Sequence, residues 1–319
     1  MRILVTGGAG FIGSHLCEKL LSDGHTVYCW DNFNDYYDPA LKRKNLLGAL
    51  NNPQFYLFEH DILDLPKLQK FFETHRPEIV VHLAARAGVR PSIQQPLLYE
   101  QVNVQGTIHL LELSRSFGVG KFIFASSSSV YGANTKVPFS ESDNVDFPIS
   151  PYAATKKAGE LICYTYYKLY GLPISCLRFF TVYGPRQRPD MAIHKFARLM
   201  WEGKKIPVFG DGGSRRDYTY YTDILQGILA SIERCRDYQI YNLGESNTVE
   251  LLYLIRLLED NLGCKAKIDF LPEQPGDVPI TFADISKARQ ELDYSPKVPI
   301  EEGVRLFADW FLNFYQQKN

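Results

Sequence analysis

Ile3-Leu4-Val5-Thr6-Gly7-Gly8-Ala9-Gly10-Phe11-Ile12-Gly13 reads as a buried strand, a glycine turn and the start of a helix. Residues 3–6 form an unbroken run of apolar and β-branched side chains, the pattern of a strand covered on both faces. Glycines at 7, 10 and 13 follow with GxxGxxG spacing, and helical periodicity runs from Ser14 to Leu21. Such a loop turns tightly, brings backbone close to a pyrophosphate and leaves phosphate at a helix N-terminus. A glycine loop alone is a weak signal, but one placed directly after a strand at residue 7 is much stronger. Gly7, Gly10, Phe11, Ile12 and Gly13 are therefore candidate dinucleotide contacts.

Working outward, residues 26–31 form a second strand ending in Asp31, about 20 residues past the glycines, where a carboxylate would hold the adenosine ribose. A carboxylate there repels a 2′-phosphate and favours NAD over NADP. Asn32 opens a polar, aromatic loop through Asp38. A third strand, 54–58, precedes Asp61-Ile62, which would cover the adenine or cap the next helix. A fourth, 78–83, ends at Leu83 and leads into Ala84-Ala85-Arg86-Ala87-Gly88-Val89-Arg90, whose small residues admit a cofactor. A long helix over 92–117 and a fifth strand, 121–125, lead to Ser126-Ser127-Ser128-Ser129. Regular alternation of strand and helix predicts an α/β fold with a Rossmann-type, doubly wound parallel sheet. Ligands bind at the carboxyl ends of such strands, where all these distinctive residues fall.

Bulk composition narrows the function. The 319 residues carry a net charge of −1, with 45% hydrophobic and 22% charged residues. No basic or acidic tract points to nucleic acid or an anionic membrane surface. No apolar run approaches the ~20 residues of a membrane span. The N-terminus turns to glycine too early for a signal peptide. The six cysteines (17, 29, 163, 176, 235, 264) are scattered without a CxxC or Cys/His cluster. They are expected to be reduced in a cytoplasmic protein with no metal site.

Ser150-Pro151-Tyr152-Ala153-Ala154-Thr155-Lys156 opens another helix, with Ser150 as N-cap and Pro151 in the first turn. Tyr152 and Lys156, four apart, share a face. An ammonium beside a phenol lowers its pKa and suits Tyr152 to acid–base work. By itself the pair is a common coincidence. Beside a nicotinamide site, however, a tyrosine, a lysine and a serine hydroxyl form an apparatus for hydride transfer. Strand alternation puts Ser127 and Ser129 on one face, away from Ser126 and Ser128, and Ser127 is the expected hydroxyl. A sixth strand over 173–178 leads to Phe179-Phe180-Thr181-Val182-Tyr183-Gly184-Pro185-Arg186-Gln187-Arg188. Beyond it the alternation loosens. Residues 1–180 are expected to form the dinucleotide domain, and 181–319 mainly a smaller mixed α/β substrate lobe with some segments returning to the sheet.

GxxGxxG after the first strand, Asp31, the Ser127 region and Tyr152-x-x-x-Lys156 resemble the extended short-chain dehydrogenases/reductases over essentially the whole chain. The resemblance implies tightly bound NAD, contacted also by Leu83, Ala84, Ala85 and Phe179, and a nucleotide sugar in the C-terminal lobe. Phe209-Gly210-Asp211-Gly212-Gly213-Ser214-Arg215-Arg216-Asp217-Tyr218 matches the family's uridine-diphosphate stretch, with Phe209 along the uracil and Arg216, with Arg215 beside it, on phosphate. Gln274-Pro275-Gly276-Asp277 matches the second nucleotide stretch; many relatives have an arginine where Gln274 stands.

Within the family three readings compete. Asn32-Phe33-Asn34-Asp35-Tyr36-Tyr37-Asp38-Pro39, the 84–92 loop and Tyr183-Gly184-Pro185-Arg186-Gln187-Arg188-Pro189-Asp190 are similar to UDP-glucuronate 4-epimerases. UDP-glucuronate decarboxylases carry a glutamate where this chain has Ser129. A neutral hexose 4-epimerase needs no carboxylate partner, whereas Arg86, Arg90, Arg186 and Arg188 cluster in site loops here. The implied reaction is removal and return of hydride at C4, with Tyr152 as base and then acid. Arg188, with Thr181 and Ser129, is expected to hold the sugar carboxylate. The resemblance also implies a homodimer through a four-helix bundle of residues 92–117 and 151–170, although Leu110, Leu111, Leu113, Leu161, Tyr164 and Tyr167 could equally pack inside one monomer. An NAD-binding regulatory protein is the non-enzymatic alternative.

Overall fold

The structure is a computed structural model and describes residues 1–273 and 278–316. Its centre is a seven-stranded parallel sheet. Strands β1 (Arg2–Thr6), β2 (Thr26–Trp30) and β3 (Phe55–Phe58) run one way from the middle. Strands β4 (Ile79–His82), β5 (Lys121–Ser127) and β6 (Ile174–Phe179) run the other. Four short strands follow: β7 (Thr181–Tyr183), β8 (Lys205–Phe209), β9 (Arg215–Arg216) and β10 (Tyr218–Tyr220). The seventh sheet strand is β11 (Tyr238–Leu243), and β12 (Val249–Glu250) and β13 (Lys267–Leu271) complete the set. The sheet order is β11-β6-β5-β4-β1-β2-β3. The order reverses between β1 and β4, which is where such a sheet opens a ligand crevice.

The apolar run of β1 has its cause in this sheet. Ile3 and Val5 face one core, which also takes the Phe11–Ser22 and Tyr221–Arg234 helices. Leu4 faces the other, beneath Leu65–His75, Gly106–Ser116 and Pro151–Tyr170. Both faces are covered, so neither alternate residue is polar. A third core, around Tyr183, Phe196, Leu254, Leu258, Phe307 and Phe311, belongs to the C-terminal half. The pairings β7 with β10, β8 with β13 and β9 with β12 frame it.

One segment after residue 181 returns to the main sheet: β11 pairs with β6 over six residues from Tyr238↔Ile174 to Leu243↔Phe179. The reading of the helices changes. The long helix over 92–117 starts earlier, at Val89, breaks at Gln95 and restarts as Pro96–Glu100. Pro96 lacks an N–H and pushes the preceding residue out of helical geometry, leaving Gln95 at φ −131°. A single π turn, Gln101–Gln105, then joins it to Gly106–Ser116. The suspected apolar surplus also divides. Leu110, Leu111 and Leu113 are buried in the monomer, while Leu161 is 55% and Tyr164 44% exposed. Among the described residues no helix is long and apolar enough to cross a membrane, and no group of three or more acidic, His or Cys side chains is arranged to hold a metal.

Candidate active site

A cleft of about 510 Å³ lies over the carboxyl ends of the central strands. Every candidate cofactor contact lines it, from Gly7, Gly10, Phe11, Ile12 and Gly13 through Asp31, Asn32, Asp61 and Ile62 to Leu83, Ala84, Ala85, Tyr152, Lys156 and Phe179. The glycine loop is sterically obligatory. Gly7 has φ +69°, and a Cβ there would stand 2.8 Å from the Ala84 nitrogen. A Cβ on Gly13 would stand 2.2 Å from the Gly7 oxygen. The Phe11–Ser22 helix begins at Gly10 with no side-chain cap and no acidic residue in its first turn. Its first backbone N–H groups are thus left to an anionic ligand.

Asp31 sits at the end of β2, 7% exposed. One carboxylate oxygen accepts from the Ala9 N–H at 3.1 Å and the other from the Phe33 N–H at 2.9 Å. Lys42 Nζ is 3.6 Å away. Sequence reasoning missed Lys42, which reads as an ordinary surface lysine of a short helix but is buried against this carboxylate. Asp61 lines the cleft and accepts from Asn32 Nδ2 at 2.6 Å and from the Leu63 N–H at 2.9 Å, a turn bond; the following helix is capped by Asp64, which accepts from the Lys67 N–H, and not by Asp61. An uncapped helix start, a cradle that Cβ atoms would fill and a ribose-height carboxylate fit a dinucleotide.

The Pro151–Tyr170 helix is capped as its sequence implies: Ser150 Oγ accepts from the Ala153 N–H at 3.1 Å. It places Tyr152 and Lys156 in the cleft beside the end of β5. Ser127 Oγ donates to Ser129 Oγ at 3.1 Å and lies next to Tyr152. Ser126 faces the other way and donates to Glu160 at 2.6 Å. Glu160 in turn takes a bidentate pair from Arg178 at 2.8 and 2.9 Å, both side chains fully buried. This pair ties the helix to β6 behind the serines.

The electrostatics differ from the expectation in one respect. Lys156 Nζ donates to the Ala125 carbonyl at 2.7 Å, and burial lowers its pKa to about 8. Burial raises the Tyr152 phenol, and the influences that pull it back are the Ser127 hydroxyl and the Arg188 charge. What opposes the rise is thus the Ser127 hydroxyl first and the Arg188 guanidinium second, rather than the Lys156 ammonium the sequence suggested.

Arg188 lines the cleft with Ser129 and Thr181. Arg186 does not. It donates to Glu18 at 2.8 Å and Ser14 Oγ at 3.3 Å, on the flank of the Phe11–Ser22 helix. The backbone explains the split: Gly184 at φ +138° and Arg186 at φ +65° twist the loop, sending Arg186 to the helix and Arg188 to the cleft. A second cavity of about 170 Å³ adjoins, lined by Ser129, Thr181 and Arg216 among others. Arg90 stacks on the Phe209 ring at 4.4 Å, outside the main cleft. Arg215 turns away, donating to Thr248 at 2.9 Å. Gln274 and Asp277 lie outside the described residues. Tyr36 and Asp190, which sequence reasoning did not single out, line the cleft beside Arg188.

Comparison with known proteins agrees with this geometry. The family model for GDP-mannose 4,6-dehydratase matches residues 4–307. A UDP-glucuronate 4-epimerase of Thermodesulfobacterium geofontis is 47% identical over 308 residues, 96% of this chain and 95% of that protein. The crystal structure of UDP-glucuronic acid 4-epimerase from Bacillus cereus, in complex with UDP-glucuronic acid and NAD, superimposes with a TM-score of 0.92 at 40% identity, covering 99% of this chain and all of that one. UDP-glucose 4-epimerase from Thermotoga maritima, with UDP-glucose, gives 0.90 at 36% identity over 99% of this chain and 100% of that one. With its glycine cradle, its Tyr152–Lys156 helix and a match that spans nearly its whole length, the chain belongs to the GDP-mannose 4,6-dehydratase family of extended short-chain dehydrogenases/reductases.

Proposed function

We propose that this chain is an NAD-dependent UDP-sugar 4-epimerase that interconverts UDP-glucuronate and UDP-galacturonate. The observation that carries the acidic sugar is Arg188, a guanidinium in the cleft wall close enough to act on the Tyr152 phenol. The full-length likeness to UDP-glucuronate 4-epimerases supports the same reading.

The glycine loop would hold the pyrophosphate of NAD, and Asp31 with Asn32 its adenosine ribose. When bound, NAD supplies a reversible two-electron acceptor for the hydrogen on C4. Tyr152 takes the 4-hydroxyl proton as general base and returns it as general acid after the keto sugar has turned over. Ser127 holds the C4 oxygen as it passes between hydroxyl and carbonyl, and Lys156 fixes the cofactor ribose. Arg216, in the adjoining cavity, would bind the diphosphate, so the sugar can rotate while its carrier stays anchored.

Glucuronate adds a hazard. Oxidation at C4 makes a β-keto acid, in which the C5–C6 bond can break: CO₂ leaves, the electron pair becomes the C4 enolate, and C5 later takes a proton. Arg188, Thr181 and Ser129 would restrain the carboxylate so that this bond stays poorly aligned with the carbonyl. Ser129 stands where the decarboxylases carry glutamate. Two further readings complete the proposal: a dimer through the exposed Leu161 and Tyr164 of the catalytic helix, and a cytoplasmic location suited to free cysteines.

The test is incubation with UDP-glucuronate, UDP-galacturonate and UDP-glucose without added NAD, followed by product separation. Interconversion of the two acidic sugars is expected. Turnover confined to UDP-glucose and UDP-galactose, or conversion to UDP-pentose alone, would overturn it.

A further inference from the structure

We propose that Asp190 is a positioning residue that sets the Arg188 guanidinium for an acidic sugar, with Tyr36 as the wall it is set against; the proposal rests on the UDP-glucuronate reading above. A guanidinium has two edges that fit a carboxylate: the side edge, Nε with Nη2, and the tip edge, Nη1 with Nη2. In this structure the side edge is taken. Arg188 Nε donates to Asp190 Oδ1 at 3.0 Å, and Nη2 to Oδ2 at 2.8 Å. Among the described residues no hydrogen bond is made by Nη1, so the tip edge is left for a ligand.

A second element completes the arrangement. Tyr36 comes from the loop after β2, 154 residues away in sequence, and its hydroxyl donates to Asp190 Oδ2 at 3.4 Å. The Arg188 guanidinium lies over the Tyr36 ring at 5.3 Å, and Arg86 stands near the same ring at 6.0 Å. Arg188, Asp190 and Tyr36 all line the cleft that holds Tyr152. The arginine is thus fixed along one edge by a carboxylate and on one face by an aromatic ring.

An exposed ion pair two residues apart would ordinarily contribute little. Three features separate this one from that case. It is bidentate, its arginine is only 21% exposed, and a ring from a distant loop packs on it. Paired to Asp190, Arg188 is ordered before substrate arrives, so less rotamer freedom is lost on binding. A guanidinium held in one orientation also holds the substrate carboxylate in one plane, which is what suppression of C5–C6 cleavage requires.

The experiment compares Asp190→Asn and Asp190→Ala with the unsubstituted chain. Affinities for UDP-glucuronate and UDP-glucose are measured by calorimetry in a Tyr152→Phe background, where no turnover intervenes. Products are separated in the Tyr152-intact proteins. Loss of Asp190 is expected to weaken UDP-glucuronate by up to about tenfold, the cost of ordering one rotamer-rich side chain on binding, and UDP-glucose by less than about twofold. UDP-pentose and CO₂ should appear beside UDP-galacturonate. Tyr36→Phe keeps the ring, loses only the hydroxyl bond and should shift affinity in the same direction by a smaller factor. Equal weakening of both sugars would make Asp190 merely structural and overturn the proposal. So would tighter UDP-glucuronate binding, which would mean that Asp190 competes for the arginine, and so would unchanged affinity and products. If the unsubstituted chain itself fails to prefer the acidic sugar, the functional reading falls first, and the proposal with it.

Discussion

Lys156 gives its ammonium to the Ala125 carbonyl at 2.7 Å, one helical turn along from the Tyr152 phenol whose proton it was expected to control. The lysine is buried and its pKa lowered to about 8, so it is held as a cleft-wall donor. Tyr152 itself is raised by burial. Replacing Tyr152 with Phe keeps the ring and removes the hydroxyl proposed to exchange the C4 hydroxyl proton. Turnover should drop by about 10²–10⁴, the range typical of a general acid–base, while bound NAD is retained. Bound nucleotide released by denaturation and a single-turnover assay measure the two together; near-normal turnover would remove Tyr152 from its assigned role.

In the proposed reaction Arg188 connects the sugar carboxylate to the proton chemistry. Its charge opposes the burial that raises Tyr152. Arg188→Ala removes that opposition, so the phenol pKa rises further. The base must be deprotonated to act, and the acidic limb of the kcat profile should therefore move to higher pH. UDP-glucuronate should also bind more weakly and yield pentose by-product. A profile that stays in place, with normal binding and clean epimerisation, would show that Arg188 has neither role.

The parts of this site that were legible in the sequence are those carried by local spacing. Gly7, Gly10 and Gly13 announce a loop because a Cβ at the first or last would strike backbone, and Asp31 follows from its distance past that loop. Tyr152 and Lys156 share a face because a helix repeats every 3.6 residues. What stayed hidden depends on backbone torsion or on partners far along the chain. Arg186 and Arg188 look interchangeable until φ +65° at Arg186 separates them. Lys42 reads as solvated until its helix folds against Asp31. That some later segment returns to the sheet is legible, but the place of β11 beside β6 comes from helix Tyr221–Arg234 packing under the sheet. Asp190 and Tyr36 stand in stretches that carry the family resemblance, but nothing in their spacing shows that the two loops bring them together on Arg188.

The Arg178–Glu160 pair predicts a large and specific loss of stability. Both side chains are fully buried, and Arg178 Nη1 also donates to Tyr131 at 3.0 Å. Glu160→Ala strands a buried guanidinium, which costs about 3–5 kcal/mol. Replacing both partners with apolar residues, Glu160→Leu with Arg178→Met, should cost less than that single change because no unpaired charge remains. Denaturant melts of the two variants measure the difference. A single variant no less stable than the double would mean that the pair is not what holds the catalytic helix to β6.

Glu245 gives the C-terminal half a pH-dependent stability whose sign is fixed by burial. Its carboxyl is raised to about 8, chiefly by burial and then by the charges of Asp223 and Asp217. Asp217, which accepts from the Glu245, Ser246 and Ala283 N–H groups, is itself raised to about 6. One Glu245 oxygen and the Tyr183 hydroxyl are buried without hydrogen-bond partners among the described residues. A carboxyl with a raised pKa keeps its proton in the folded chain after the unfolded chain has lost it. Its stabilising contribution is full below the ordinary carboxylate range and is lost as pH rises toward 8. Glu245→Gln removes this titration. Between about pH 5, near the unfolded carboxyl's value, and about pH 8, its value in the fold, the variant should lose less stability than the unsubstituted chain, and above pH 8 it should be the more stable of the two. Urea melts across that range test it: parallel pH dependences for the two proteins would show that Glu245 is already ionised in the fold.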